Sequence, residues 1–150
     1  MLRDRTLTCM VAAFGLTILG PAAALADEIT LTPSSTKLVH PMLGNTINPA
    51  GSYLLSSTTP LVHYTLNKIE VGLHKMNNAG GWDVWPIGAG LKGCMANNGV
   101  YSSTPYQQLP AGTYSLSHRM YYNKITMTGT GGMFVEPGTK GSSEVPLAFP

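Results

Sequence analysis

Charge is scarce in this chain. Of 150 residues, nine are Lys or Arg and seven are Asp or Glu. That is too few, and too evenly balanced, for a basic face that tracks phosphates or anionic lipid. Beyond Ala26 the basic side chains are Lys37, Lys68, Lys75, Lys92, Arg119, Lys124 and Lys140, and the acidic ones Asp27, Glu28, Glu70, Asp83, Glu136 and Glu144. Seven against six leaves a net charge near +1, and the basic residues stand singly, which argues against a nucleic-acid partner. Cysteine is scarcer still, with only Cys9 and Cys94. A disulfide framework needs an even set in the mature chain, so this domain must stand on its apolar core. Past the N-terminal segment, no apolar run reaches the roughly 20 residues of a spanning helix. Nor do apolar residues hold a 3.6-residue period across three turns.

Catalytic signatures are absent as well. The chain has no G-x-S-x-G, H-E-x-x-H, S-x-x-K or glycine-rich phosphate loop. Gly88–Gly90 and Gly129–Gly132 lie between strand-like runs, with no helix following to bind phosphate. No two acidic residues have a spacing that suggests a general acid/base couple. The sequence therefore reads as a binding protein and not as an enzyme.

What is present begins at the N-terminus. Arg3 and Arg5 precede an apolar run from Leu7 to Leu19, and Ala24-Leu25-Ala26 supplies small residues in an A-x-A close. This order is that of a cleaved secretory signal peptide over residues 1–26, with cleavage before Asp27 and a periplasmic or extracellular mature chain. Cys9 would leave with it. The remainder, 27–150, has the size of one domain. Cys94 would then be a lone thiol, either buried, a ligand or half of an intermolecular bridge.

Short alternating or β-branched runs predict strands at Glu28–Thr32, Lys37–His40, Ser52–Ser56, Leu61–Thr65, Lys68–Lys75, Trp82–Ile87, Thr113–Tyr122, Lys124–Thr128, Met133–Glu136 and Glu144–Phe149. Between them lie turn signals: Asn48-Pro49-Ala50-Gly51, Asn77-Asn78-Ala79-Gly80-Gly81, Asn97-Asn98-Gly99 and Glu136-Pro137-Gly138. Many short strands at this spacing predict an all-β fold, a single antiparallel β-sandwich of cupredoxin-like or immunoglobulin-like type. The stretch from Gly88 to Leu109 reads as a long loop. In Lys68–Met76 the alternation puts Ile69, Val71 and Leu73 on the core face and Lys68, Glu70, Gly72, His74 and Met76 on the other. In Thr113–Tyr122 it puts Tyr114, Leu116, His118, Met120 and Tyr122 on one side, and Thr113, Ser115, Ser117 and Arg119 on the other.

Three of the four histidines precede a methionine by two residues: His40-Pro41-Met42, His74-Lys75-Met76 and His118-Arg119-Met120. On an extended backbone residues i and i+2 point the same way, so each pair offers an imidazole and a thioether together. Imidazole suits copper or zinc, and soft thioether favours Cu(I). The plainer reading is also open. Methionine fills gaps in cores, His118 and Met120 share a face with Tyr114 and Leu116, and Pro41 confines the first pair to an edge or loop.

Ile69-Glu70-Val71-Gly72-Leu73-His74, Leu109-Pro110-Ala111-Gly112 and His118-Arg119-Met120, with Asn48-Pro49-Ala50-Gly51-Ser52-Tyr53-Leu54 before them, resemble the periplasmic copper chaperones. Those proteins hold Cu(I) on a small cupredoxin-like β-sandwich through two His and two Met. The resemblance implies copper as cofactor, with His74, His118 and Met120 as ligands. The family's first Met would fall near Trp85, so Met95 completes the set here, with Met76, His40 and Met42 as alternatives. A blue-copper site is a different matter: Cys94-Met95 lies far in sequence from the next histidine, His118, and the spacing is wrong.

The other candidate surface is aromatic. Trp82 and Trp85, separated by an odd number, would face opposite ways on a strand. With Tyr101 and Tyr106 they could form a stacking platform for a glycan or an anchor for a protein in the Gly80–Gln108 loop. Packing near a sandwich end is the alternative.

Overall fold

The computed structural model describes residues 26–84, 91–92 and 97–150, and its described residues form strands without a helix. In chain order the strands are β1 (Glu28–Pro33), β2 (Thr36–His40), β3 (Gly44–Asn48), β4 (Ala50–Ser56), β5 (Val62–Met76), β6 (Trp82–Val84), β7 (Leu91–Lys92), β8 (Asn98–Ser102), β9 (Gly112–Met127), β10 (Met133–Ser143) and β11 (Leu147–Phe149). All pairings are antiparallel. A three-stranded sheet runs β1-β4-β8. A larger one runs β10-β9-β5-β6, with β11 also on β9 and β7 also on β5, and β2-β3 is a separate hairpin.

The core lies where the apolar faces of these sheets meet. Leu31, Tyr53, Leu55 and Tyr101 come from the smaller sheet; Ile69, Val71, Leu73, Tyr114, Leu116 and Met120 come from β5 and β9 of the larger. Ile47, Leu109 and Phe149 close the end. The expected faces of β5 and β9 are thus the observed ones. Leu116 is fully buried, so truncation to Ala would cost ~2–5 kcal/mol.

Several strand expectations need correction. The runs expected at Leu61–Thr65 and Lys68–Lys75 join into the single β5. A register shift between Leu66 and Lys68 inserts Asn67 as an extra residue. The bulge restores the inward face, so Tyr64 and Leu66 are buried before it and Ile69, Val71 and Leu73 after it. Two side-chain amide bonds fix it, Asn67 Nδ2 to Asn123 Oδ1 at 3.1 Å and Asn123 Nδ2 to Asn67 Oδ1 at 3.2 Å. Likewise Thr113–Tyr122 and Lys124–Thr128 are one strand, β9.

Glu136-Pro137-Gly138, read as a turn, continues β10 opposite Lys124, Asn123 and Tyr122. Strand β10 is at the end of its sheet, so an imino acid is tolerated there. Gly138 is required by its partner: a Cβ there would fall 2.4 Å from the Tyr122 ring. Asn98 and Gly99 open β8 and do not form a turn, and Tyr101 within the expected loop is core. The Asn77–Gly81 turn is as expected. Asn77 Oδ1 accepts the amides of Ala79 and Gly81 at 3.1 and 2.8 Å.

Candidate functional site

The polar face of β5 and β9, continued onto β10, forms a trough of about 770 Å³. Its rows follow from the registers. Glu70, Arg119 and Gly141 pair across the three strands, and Gly72, Ser117 and Ser143 pair in the next row. Glycine and serine on the central positions leave space above the sheet, while charged residues stand at one end and His74 at the other. The volume falls in the range of small-molecule sites.

At the charged end Lys68 Nζ lies 2.5 Å from Glu70 Oε1 and 4.6 Å from the centre of the Tyr121 ring. The Lys68 hydrogen bond, then one from Tyr121 and, more weakly, the Arg119 charge hold the Glu70 carboxyl below the usual range. The Lys68–Glu70 pair is about four-tenths exposed on each side, so solvent screens it. At the other end His74 Nε2 is 3.0 Å from Ser117 Oγ. That is nucleophile–base reach, but among the described residues no carboxylate hydrogen-bonds His74 to orient its ring. Backbone N–H groups on this face belong to the strand ladders and do not form an oxyanion hole. The arrangement can bind, orient and exchange hydrogen bonds with a polar molecule.

The copper ligand set is not brought together. His74 faces the trough on the outside of the sheet, whereas His118 and Met120 face the core with 1% and 0% exposure. Alternation forces this, because Val71, not His74, stands opposite His118. Met76 is exposed on the outer face beside Trp82, and Met95 lies outside the described residues. His40 ties its own turn: its Nδ1 accepts the amides of Met42 and Leu43 at 3.1 and 3.2 Å, and Met42 extends into solvent. Among the described residues no three His, Cys, Asp or Glu side chains gather in one place. These residues do not fit a His2Met2 copper centre.

His118 instead belongs to a buried polar group. Its Nδ1 is 2.8 Å from the Tyr101 hydroxyl, and its Nε2 is 3.1 Å from Glu144 Oε1. The latter approach is off the N–H direction, so Nε2 makes no hydrogen bond among the described residues. Glu144 Oε1 accepts the Ser35 amide at 2.9 Å. Burial pushes the His118 imidazole below its ordinary pKa, against the pull of Glu144. Burial also raises the Tyr101 phenol.

The described aromatic residues of the Gly80–Gln108 segment do not share one exposed surface. Tyr101 is buried. Tyr106 packs half-buried against the core, its hydroxyl donating to the Val71 carbonyl at 3.1 Å. Trp82 is 41% exposed on β6, and Trp85 lies outside the described residues. Cys94 also lies outside them. The trough residues Glu70, Ser117, Arg119, Gly141 and Ser143 form a site that no local motif marked; the alternation that put the first three on polar faces was its only trace.

No helix of the described residues is long and apolar enough to cross a membrane. No family model, curated protein or solved structure matches the chain.

Proposed function

We propose that the chain is an exported, non-enzymatic β-sandwich that acts by recognition, with its ligand seated in the trough on the outer face of β5, β9 and β10. One observation carries this reading. Three adjacent strands place glycine or serine on one patch of their polar faces, between a charged end and an imidazole. An ordinary solvated sheet face has no need of such a gap, and a site for a polar molecule does. The recognition surface is thereby moved from the Gly80–Gln108 loop to the sheet. The copper reading has no comparable support, because its two imidazoles are separated by the sheet itself.

The test is amide chemical-shift mapping of the processed protein against a panel of short oligosaccharides and peptides. Shifts should cluster at Gly72, Ser117 and Gly141. The substitution Gly141→Leu should abolish them while leaving the thermal melt unchanged. A Cβ at Gly141 meets only the His118 carbonyl, at an ordinary 3.9 Å. Shifts clustered elsewhere, or a Gly141→Leu variant that binds as well as the parent, would refute the assignment.

A further inference from the structure

Resting on the trough as the binding site, we infer that its ligand presents a carboxylate and that Arg119 receives it. The argument begins with the charges. Among the described residues Glu70 is the only acidic side chain lining the trough. It is engaged at 2.5 Å by Lys68 and also accepts from Tyr121. Arg119 stands across the strand pair from Glu70 without pairing with it, so two cations, Lys68 and Arg119, flank one carboxylate and the patch carries a surplus positive charge. Arg119 is exposed, and among the described residues no carboxylate lies within ion-pair distance of its guanidinium. Its fork of donors matches a carboxylate in bidentate fashion, which a lone ammonium does not.

The rest of the trough suits the remainder of such a molecule. Across the strand from Arg119 is Gly141, with no side chain to compete for the guanidinium. The next row supplies the Ser117 and Ser143 hydroxyls, and His74 beyond them closes a hydrogen-bonding wall. The backbone of β9 at the centre of the floor is paired on both sides, with β5 and with β10, so a ligand lying over it finds no free ladder groups. Recognition must run through side chains, as it does for small polar acids. Two sources offer this chemistry, a uronic-acid sugar and the free carboxylate of a short peptide.

Isothermal titration with four probes separates them: digalacturonate, its dimethyl ester, acetyl-dialanine and its methyl ester. The inference requires one acid to bind at least about tenfold more tightly than its own ester, and binding to weaken with added salt. Arg119→Gln should bring acid and ester to the same affinity, and Arg119→Lys should recover only part of the preference. Because Arg119 is exposed, both variants should melt with the parent, which separates lost recognition from lost folding. Equal binding of acid and ester at the trough would overturn the carboxylate and leave the binding site standing. Binding that Gly141→Leu does not disturb, or no binding by any of the four, would overturn both.

Discussion

The hydroxyl of Tyr101 on β8 lies 2.8 Å from Nδ1 of His118 on β9, and this one contact joins the smaller sheet to the larger by a polar bond inside the core. Through Glu144 and the Ser35 amide the same group reaches the connections after β10 and β1. A buried polar chain of this kind stabilises only while each member keeps its partner and its charge state.

Acid should loosen the fold through His118. Its imidazole is held below the ordinary 6.5 by burial, so the unfolded chain takes up the proton more readily than the folded one. The stabilisation is therefore complete above about pH 6.5 and is lost as pH falls towards the folded value. Melting temperature should decline between pH of about 7 and 5, and His118→Gln should flatten that decline. An equal slope in parent and variant would show that other groups govern the acid limb.

Removing the Tyr101 hydroxyl leaves Nδ1 of His118 without its partner in a dry site. Tyr101→Phe should cost ~1–3 kcal/mol by denaturant titration. Gly51→Ala acts on the same ring from the other side, since the added Cβ would sit 2.4 Å from the Tyr101 oxygen and 2.7 Å from the Thr32 carbonyl. Overpacking there should cost ~1–3 kcal/mol, and the backbone neighbour means that shortening Tyr101 cannot relieve it fully.

Gly138→Ala should destabilise β10 against β9 because Tyr122 occupies the place of the new methyl. Hydrogen exchange of the β10 amides would register the loss. In a Tyr122→Ala background the same substitution should be nearly neutral, a coupling that a double-mutant cycle reads directly.

The phenol of Tyr64 titrates high, pushed up to about 12, first by burial and then by its bond to Asp27 at 2.7 Å. Asp27→Asn should move it only part of the way back towards 10, because burial remains. Ultraviolet difference titration resolves the phenolate, and a full return would mean that Asp27 alone was responsible.

Much of the strand pattern was legible because alternation survives in β5 and β9. Val71, Leu73, Leu116 and Met120 are buried on the faces that their spacing assigns. What escaped has physical causes. Asn67 breaks the alternation as a strand end would, yet it is a bulge inside one strand. Pro137-Gly138 carries turn chemistry that an edge position absorbs. The imidazoles of His74 and His118 belong to similar His-x-Met spellings; alternation set them on unlike faces, and the pairing of β5 with β9 makes those faces the two sides of one sheet. The trough draws on three strands, with glycines and serines that carry no signal of their own.

Pro137 has one more effect. Met133, Phe134 and Val135 leave apolar surface on the outermost strand of the larger sheet, the template on which a second chain could dock and propagate a fibre. A proline near the middle of that strand lacks the amide proton such growth would need, so the ladder of a would-be neighbour meets a missing rung. The residue that defeated the local reading of β10 is thereby of the kind with which edge strands blunt such growth.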